Sequence, residues 1–568
     1  MRMRLGRDFV LALEAAVERW TSIDGVRRLW ARDASLWTNS DESSWLGWLG
    51  LVRTPSASLG LADLTDRVTA LGIRDVLLVG MGGSSLASEV VTQVVPSPFD
   101  SPTLHVLDST DPAQIGRVLG ECDLSRTLCI ASSKSGATLE TSLLTDYVLE
   151  RLQERLASKA VGGRCLAITD SGSLLEELAR RREFLAILHG VSSVGGRFSA
   201  LSHFGLVPPL LCGRDIETLV DRAAKMAVRC GGDVEAGLNP GVKLGLALGT
   251  AELMGRDKVT FILSPAIASL GYWLEQLMAE STGKVGRGLL PIVDEELGAP
   301  ASYGTDRLFV YLRLAEEFDS EQEESVERLA GAGLPVIDLT LSDRFDLGGE
   351  FFRWEMAVAV CGSVLRGHPF DQPDVEAGKR ATLDLAAAYE SSGVWPERTS
   401  IAVDAGLEAY ADPETAAALR QSVGPGAGVQ ELLLAHLGKL GPRDYFALLA
   451  YLEQSRDYLD LLQQMRTGVR QARGVATTLG FGPSFLHSMG QTFKGGPDNG
   501  VFLQITCDDE ADLPIPGRGY TFGGIKRAQA DGDLQVLVSR GRRVLGVHLG
   551  GDVGSALKRL TSMVLAAA

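Results

Sequence analysis

Hydrophobic residues between positions 74 and 170 recur in short runs, and longer amphipathic stretches separate the runs. Four runs have the length and composition of strands: Asp75–Gly80, Thr103–Leu107, Thr127–Ala131 and Cys165–Thr169. Strands that alternate with helices are typical of a parallel sheet covered by helices on both faces. This part of the chain is therefore predicted to be a doubly wound α/β domain.

Two later segments repeat the pattern. In the second, the predicted strands are Lys258–Leu263, Leu308–Leu312 and Pro335–Leu339, and the predicted helices are Ala266–Glu280, Glu321–Ala332 and Glu350–Leu365. In the third, the predicted strands are Tyr445–Tyr451, Ala476–Leu479, Val501–Thr506 and Arg543–Val547. The N-terminal segment, which precedes all three and ends near Gly60, has instead a helical pattern and three closely spaced tryptophans.

We therefore predict an α/β protein of four units. They are an N-terminal helical segment (1–60), two parallel-sheet domains (61–232 and 233–390) and a C-terminal α/β domain (391–568). The Pro/Gly-rich stretch Val423–Gly428 is a further boundary zone.

Composition narrows the functional classes. The net charge of −17 over 568 residues opposes non-specific binding to nucleic acid. The seven cysteines are scattered without a Cys-x-x-Cys pair, which predicts reduced thiols, no zinc site and a cytoplasmic location. Neither a secretory leader nor an apolar stretch long enough to cross a bilayer is visible, so no membrane partner is expected.

The run from Ala131 to Thr141 carries the strongest chemical signal. Its hydroxyls (Ser133, Ser135 and Thr138), one ammonium (Lys134) and Gly136 lie between a predicted strand and a predicted helix. A helix start exposes free backbone N–H groups and the positive end of the helix dipole, so this loop favours a phosphate ester. An ordinary N-cap would need only one hydroxyl.

A second loop, from Gly80 to Leu86, follows another buried strand and contains Gly83 and Ser84. A lone glycine-rich loop is weak evidence for a nucleotide site. Serines in this loop suggest instead a lining for a sugar or a phosphate. The two loops would meet at the carboxyl ends of one sheet, where such sheets bind ligands.

Three candidate catalytic groups lie further along the chain. Arg197 follows two glycines, which allow its guanidinium to lie close to a ligand oxygen. Glu280 ends a predicted helix at the edge of an apolar stripe, beside Gln276, and desolvation there would suit a general base. Gln372 and Lys379 lie in a turn that leads into a helix. Taken singly, each of these residues can also be interpreted as an ordinary solvated surface residue.

Together these motifs resemble the phosphoglucose isomerase family, whose members are built from two sugar-isomerase (SIS) domains. Five fragments occur in the family's order: Gly80–Ser85, Ser133–Thr138, Val194–Ser199, Glu280–Lys284 and Phe370–Lys379. The resemblance covers roughly residues 60 to 379. The tail is similar to the isomerase part of bacterial transaldolase–phosphoglucose isomerase fusions, and no transaldolase-like part is evident.

The resemblance implies reversible isomerisation of glucose 6-phosphate and fructose 6-phosphate through an enediol(ate). It implies that Ser84, Ser133, Ser135 and Thr138 hold the phosphate, with added charge from Lys134. Arg197 would stabilise the enediolate and Glu280 would move the proton between C1 and C2. Gln372 and Lys379 would lie near the sugar, and Lys379 would assist ring opening.

The ring-opening histidine of the family is the main departure. The corresponding motif here is Tyr303–Arg307, which contains no histidine. His487, in the stretch Leu486–Gln491, and His368 are the two candidates, because histidine titrates near neutrality. Alternatively, the His487 loop only packs the third segment onto the sheets, and Lys379 acts with water.

Two other functions stay open at this point. The first is a dual phosphoglucose/phosphomannose isomerase, which an assay with mannose 6-phosphate would reveal. The second is a non-catalytic phosphosugar-binding SIS protein, although a sensor needs no proton shuttle. The seven histidines are dispersed, so we predict no metal and no cofactor. The family implies a homodimer, but the third segment could cover the surface that a second copy would use.

Overall fold

The structure is a computed structural model, and it describes residues 1–52, 61–156, 160–424 and 426–568. It contains three sheets, each covered by helices on both faces. The predicted α/β class, with two parallel-sheet units and a third α/β segment, is confirmed. The domain limits stay predictions. The limit near residue 60 lies next to residues 53–60, which are outside the described residues. Position 425, within the predicted boundary zone, is also outside them.

In chain order, the strands are β1 (Arg2–Arg4), β2 (Asp75–Gly80), β3 (Thr103–Leu107), β4 (Thr127–Ser132), β5 (Cys165–Thr169), β6 (Ala186–His189), β7 (Lys258–Leu263), β8 (Leu290–Ile292), β9 (Arg307–Leu314), β10 (Val336–Leu341), β11 (Thr399–Asp404), β12 (Leu407–Ala411), β13 (Tyr445–Tyr451), β14 (Ala476–Phe481), β15 (Gly500–Cys507) and β16 (Arg543–Leu549).

The α-helices are α1 (Arg7–Ser22), α2 (Gly25–Trp30), α3 (Trp48–Leu51), α4 (Ala62–Ala70), α5 (Leu86–Val94), α6 (Pro112–Glu121), α7 (Leu139–Arg155), α8 (Leu174–Arg181), α9 (His203–Leu211), α10 (Ile216–Arg229), α11 (Pro240–Leu253), α12 (Leu270–Thr282), α13 (Ser320–Gly331), α14 (Leu347–Leu365), α15 (Pro373–Ser392), α16 (Pro413–Val423), α17 (Val429–Leu437), α18 (Arg456–Arg473), α19 (Gly490–Gly495), α20 (Phe522–Ser539) and α21 (Val553–Ala567).

The first sheet has the order β3-β2-β4-β5-β6, and all its strands are parallel. Alternate residues of its strands enter two different cores. Leu77 and Val79 pack in one core with α7, whereas Val76 and Leu78 pack in the other with α4 and α9. Burial on both faces explains why these strands read as continuous apolar runs.

The second sheet has the order β1-β10-β9-β7-β8. Strands β7 to β10 are parallel, and β1 joins the edge antiparallel to β10. The prediction of a wholly helical N-terminal segment is therefore wrong at its first residues. Three residues give too short a pattern to distinguish a strand from a coil, and only the unpaired edge of β10 makes a strand of them.

The third sheet is mixed, with the order β11-β12-β16-β15-β13-β14. Strands β13 to β16 are parallel, and the hairpin β11–β12 adds an antiparallel edge. The sequence pattern missed this hairpin because its strands are partly exposed and contain charged residues. The carboxyl end of β14 leads directly into the segment that contains His487.

Local sequence signals explain the elements that carry the site. Thr138 is the extended residue before α7, so the hydroxyl-rich loop ends at that helix start. Pro373 occupies the first turn of α15, and Gly393, with φ +70°, ends it in the left-handed conformation. Helix α12 begins at Leu270 rather than Ala266, because Pro265–Ile267 forms a separate 3₁₀ turn.

Candidate functional site

The site forms where the two predicted ligand loops leave the first sheet. Strands β2 and β4 are parallel neighbours, with Gly80 beside Ser132, so the loops that follow them lie side by side. A Cβ on Gly83 would lie 2.3 Å from the carbonyl oxygen of Gly196. Only glycine allows this approach, which brings the loop containing Arg197 against the loop after β2.

Arg197 and Glu280 form a buried ion pair at the centre of the site. The Nη1 of Arg197 lies 3.5 Å from Oε2 of Glu280 and donates to Oε1 of Gln372 at 2.9 Å. Both residues are almost fully buried: Arg197 is 3 % exposed to solvent and Glu280 is 6 % exposed. Gln276 donates to the same Glu280 oxygen at 3.4 Å, so two of the predicted site residues, Arg197 and Gln276, contact one carboxylate oxygen.

The rest of the Arg197 guanidinium is held rigidly. Its Nε donates to the hydroxyl of Ser281 at 2.8 Å, and its Nη2 donates to the carbonyl oxygens of Pro369 and Asp371 at 2.7 and 2.9 Å. These bonds join the end of α12 to the turn before α15. The position of the guanidinium is therefore set before any ligand binds.

Burial raises the pKa of Glu280 above its ordinary value, while Arg197, His487 and Lys379 oppose the rise. Desolvation penalises the charged carboxylate, and nearby cations favour it. A carboxylate with a raised pKa and a cation beside it can accept a proton from carbon near neutral pH.

Lys284 is a further buried cation near this pair. Its Nζ lies 2.9 Å from Oδ1 of Asp371 and donates to the carbonyl oxygen of His368. Burial, together with the charge of Arg197, lowers the pKa of Lys284 to about 7. Lys284 is thus charged below neutral pH, where it lowers the pKa of Glu280.

Replacing Lys284 with methionine should move the acid limb of the kcat/KM profile to higher pH. In the role that the resemblance implies for Glu280, that limb follows protonation of its carboxylate in the free enzyme, and the substitution removes a positive charge that favours the carboxylate. The rate is measured across the pH range with the sugar phosphate that the resemblance implies. Lys284→Arg keeps the charge and should leave the limb in place. A methionine variant whose limb does not move, or moves to lower pH, would contradict this assignment.

His487 reaches the site from the third sheet. Its Nε2 lies 3.1 Å from Oε1 of Glu140, a residue 347 positions away at the start of α7. Glu140 also accepts from Nε2 of Gln529 at 2.7 Å. Although burial opposes ionisation, the charge and hydrogen bond of His487 hold the pKa of Glu140 below its ordinary range. The carbonyl oxygen of His487 accepts from Gln276 at 2.8 Å.

His368, the rival candidate, has both ring nitrogens occupied. Its Nε2 lies 2.8 Å from Oδ1 of Asp41, and its Nδ1 accepts from the backbone N–H groups of Phe370 and Asp371 at 3.1 and 3.2 Å. This histidine shapes the turn before α15. It does not line the cavity that contains Glu280.

Two adjoining cavities contain most of the predicted residues. The smaller, the catalytic cavity, is about 110 Å³ and is lined by Gly83, Ser84, Arg197, Gln276, Glu280, Gln372, Lys379 and His487. The larger, the phosphate-side cavity, is about 410 Å³ and is lined in part by Ser133 and Thr138. Val375, Lys379 and His487 line both, so a single elongated ligand could occupy the two.

Two residues of the hydroxyl-rich loop do not line either cavity. Lys134 is ion-paired with Asp170, and its ammonium lies 6.0 Å from the ring centre of Trp45. Ser135 is exposed, and its hydroxyl accepts from the backbone N–H of Ala137 at 3.2 Å. By contrast, Ser133 donates to the Thr138 hydroxyl at 3.1 Å beside the cavity.

Comparison with known proteins agrees with this geometry. The family model for phosphoglucose isomerase matches residues 66–288. A glucose-6-phosphate isomerase of Rubrobacter xylanophilus is 30% identical over 386 residues, which cover 59% of this chain and 88% of that protein. A glucose-6-phosphate isomerase of Methanocaldococcus jannaschii is 27% identical and aligns over 54% of this chain and 83% of its own length.

The chain belongs to the phosphoglucose isomerase family. A solved hypothetical protein of Thermus thermophilus has a TM-score of 0.58 and 25% identity, and the match covers 67% of this chain and 99% of that protein. A Chlamydia trachomatis glucose-6-phosphate isomerase has a TM-score of 0.50 at 20% identity, which shows the shared fold. That match covers 58% of this chain and 73% of the Chlamydia protein.

The segment Tyr303–Arg307, which corresponds to the family's histidine motif, lies away from the site. It precedes β9, whereas the catalytic loops follow the carboxyl ends of their strands. The hydroxyl of Tyr303 accepts from the backbone N–H of Gly298 at 2.7 Å. Arg307 forms a buried ion pair with Glu295, the two atoms 3.0 Å apart.

The motifs contained other buried groups that sequence reasoning left without a role. Glu140 and Lys284 both belong to quoted motifs, and their position beside other motif residues was the available signal. Gln529 and Lys494 lie in the tail fragments Tyr520–Gln529 and Phe485–Gly496, which resemble the family. Asp533, which lies 2.6 Å from Lys494 in a buried pair, became visible only in the fold. Among the described residues, no group of three or more His, Cys, Asp and Glu side chains is arranged to hold a metal ion. The absence of a cofactor stays a prediction.

In the described ranges, no helix combines the length and the apolar character that a bilayer crossing needs.

Proposed function

We propose that this chain interconverts glucose 6-phosphate and fructose 6-phosphate by proton transfer through an enediol(ate). The observation that carries the proposal is the buried Arg197–Glu280 pair, 3.5 Å apart, in a cavity that adjoins the hydroxyl-rich loop. A binding protein would need the loop but not the pair. Family membership favours the same reaction.

Glu280 is the proposed base. In the aldose it removes the proton from C2 and returns it to C1, and in the ketose it does the reverse. Burial raises its pKa above the ordinary value, which increases its basicity, and the neighbouring cations favour the carboxylate form. Gln276, which donates a hydrogen bond to Glu280, helps to hold the carboxylate in one orientation.

Arg197 is the proposed electrophile. Negative charge develops on the oxygens of C1 and C2 as the proton leaves carbon, and a fixed guanidinium stabilises that charge without reorganising. The bonds to Ser281 and to two backbone carbonyls supply this fixed position. Gln372, held by the same guanidinium, is proposed to contact the sugar hydroxyls.

The phosphate is proposed to bind between Ser84, Ser133 and Thr138 at the start of α7. This position adds the helix dipole to the hydroxyl donors. Lys134 acts only through its field, because Asp170 holds its ammonium. Ser135 would have to turn away from Ala137 to take part.

Thr138→Val should raise KM for fructose 6-phosphate by roughly 10- to 150-fold with a smaller change in kcat. The isosteric change removes one hydrogen bond to a dianion, on the order of 1.5–3 kcal/mol. Steady-state kinetics and inhibition by inorganic phosphate measure the loss. Thr561→Val is the matched control, because this buried threonine donates only within α21. Unchanged inhibition by phosphate would remove Thr138 from the phosphate site.

Ring opening is proposed to use His487, oriented by Glu140, together with Lys379. An oxygen of the Glu140 carboxylate lies 3.1 Å from Nε2 of the imidazole, and Gln529 donates a hydrogen bond to the same oxygen. Lys379 lines both cavities, and its side chain is 40 % exposed. Its Nζ lies 2.8 Å from Oε1 of Glu376. Its ammonium can exchange protons with solvent.

The direct test is a turnover assay with fructose 6-phosphate, in which glucose 6-phosphate formation is followed by an oxidising coupling enzyme. Purified chain should turn over this substrate in the presence of a chelator. Binding of fructose 6-phosphate without turnover would contradict the proposal and favour a sensor.

A sugar phosphate is the proposed small-molecule partner. No nucleic-acid partner is proposed, because the net charge of −17 opposes binding to another polyanion. We also propose a cytoplasmic location, from the scattered and unpaired cysteines, and a homodimer, from the family resemblance. Sedimentation of the purified chain and fractionation of cells measure these two properties.

A further inference from the structure

A third cavity, here called the junction cavity, lies where the three sheet units meet. Its volume is about 350 Å³, and Gly82 lines both it and the catalytic cavity. Glu89 on α5, Glu275 on α12 and Arg466 on α18 contribute to its wall, one from each unit. No step of the proposed isomerisation uses these side chains.

Arg466 presents an unused donor at this cavity. Arg466 is 2 % exposed. Its Nε donates to the carbonyl oxygen of Thr477 at 3.1 Å, and its Nη1 donates to the carbonyl oxygen of Asp294 at 3.2 Å. Its Nη2 has no hydrogen-bond partner within the part of the chain that the structure describes. A buried guanidinium nitrogen without an acceptor is costly, so an acceptor on a ligand would be favourable.

Donors and acceptors on the other walls complement that group. Glu275 accepts from Ser488 at 3.1 Å through one oxygen, and Asp108 accepts from Ser484 at 2.7 Å. Gln114 is 7 % exposed, and its side-chain amide makes no hydrogen bond to any described residue. Burial raises the pKa of Glu275 to about 7, so this group both donates and accepts near neutral pH.

The balance of groups selects the ligand class. The acidic side chains of the wall disfavour an anion such as a sugar phosphate, while Arg466 disfavours a simple cation. Hydroxyl groups can donate to carboxylates and accept from a guanidinium and an amide. Aromatic side chains of the same wall, Tyr272, Phe481 and Phe485, offer apolar surface for C–H groups. The volume lies in the range of small-ligand sites.

We propose that the junction cavity binds an unphosphorylated polyol of monosaccharide size, held by Arg466, Glu275 and Gln114. This ligand is distinct from the phosphorylated substrate. The site would be occupied independently of the phosphate loop.

Glucitol is a suitable probe, and calorimetry on the full chain measures its binding. Saturating glucitol 6-phosphate fills the catalytic site during the titration, so the remaining signal reports the junction cavity. Glucitol should still bind, and Gln114→Leu should weaken its affinity by about tenfold or more through loss of amide hydrogen bonds. Gln153→Leu, a substitution of an exposed glutamine on α7, should leave the affinity unchanged.

Arg466→Lys gives a second test, since it keeps the charge but removes the free Nη2. It should also weaken glucitol binding, provided that circular dichroism shows a native fold; Gln114→Leu decides the matter if this variant is unfolded. The proposal is overturned if glucitol does not bind, if glucitol 6-phosphate displaces it, or if Gln114→Leu binds it as the wild type does. Binding of protonated glucosamine without glucitol would also overturn it, in favour of a cation site.

Discussion

Replacing Glu280 with glutamine should lower kcat by about 10²- to 10⁴-fold while substrate binding is nearly retained. The amide keeps the shape of the carboxylate and its place beside Arg197, but it cannot accept a proton from carbon. Glu280 is 6 % exposed and lines the catalytic cavity, where its carboxylate can reach a bound sugar. Turnover and equilibrium binding of fructose 6-phosphate measure the two effects separately.

Glu355→Gln is the matched control for this variant. Glu355 is fully buried on α14 and lines neither the catalytic nor the phosphate-side cavity, and burial alone raises its pKa well above the ordinary value. The isosteric amide should therefore leave kcat unchanged. Near-normal kcat in the Glu280 variant would mean that another group is the base.

Replacing His487 with alanine should lower the rate on cyclic substrate by about 10²- to 10⁴-fold. The same variant should act almost normally on 5-deoxyfructose 6-phosphate, which cannot close a furanose ring because it lacks the C5 hydroxyl. The difference isolates ring opening from the C1–C2 proton transfer. Side-by-side kinetics of the two substrates measures it.

His368→Ala provides the comparison. Because both nitrogens of His368 bind Asp41 and the backbone before α15, its loss should disturb the turn that holds Arg197. Any rate loss should then be equal on the two substrates and accompanied by a lower thermal midpoint. Equal rates of the His487 variant on both substrates would instead leave Lys379 with water as the ring-opening pair.

Much of the scaffold was predictable because its strands are buried on both faces. Strands β2, β3, β5, β7 and β13 have the predicted bounds. Continuous apolar runs indicate such strands without knowledge of their neighbours. Strands β1, β6, β8, β11 and β12 were missed: the first four lie at sheet edges, and β12 pairs with the edge strand β11.

The predicted site residues divide into those that line a cavity and those that do not. Arg197, Glu280, Gln372 and Lys379 were found because each lies in a short motif with its own chemical signal, and the fold brings them to one cavity. Lys134 and Ser135 share such a motif yet do not line a cavity, because local partners, Asp170 and the Ala137 N–H, engage them.

The sequence by itself determined the fold class, the loops after β2 and β4, and the residue types that a metal-free aldose–ketose isomerisation would require. Only the tertiary structure placed His487, and not His368, in the lining of the catalytic cavity, because that placement depends on contacts between residues hundreds of positions apart. The same holds for the raised pKa of Glu280 and the lowered pKa of Lys284. Burial and opposing charge set these values, and both arise from packing between segments rather than from local sequence.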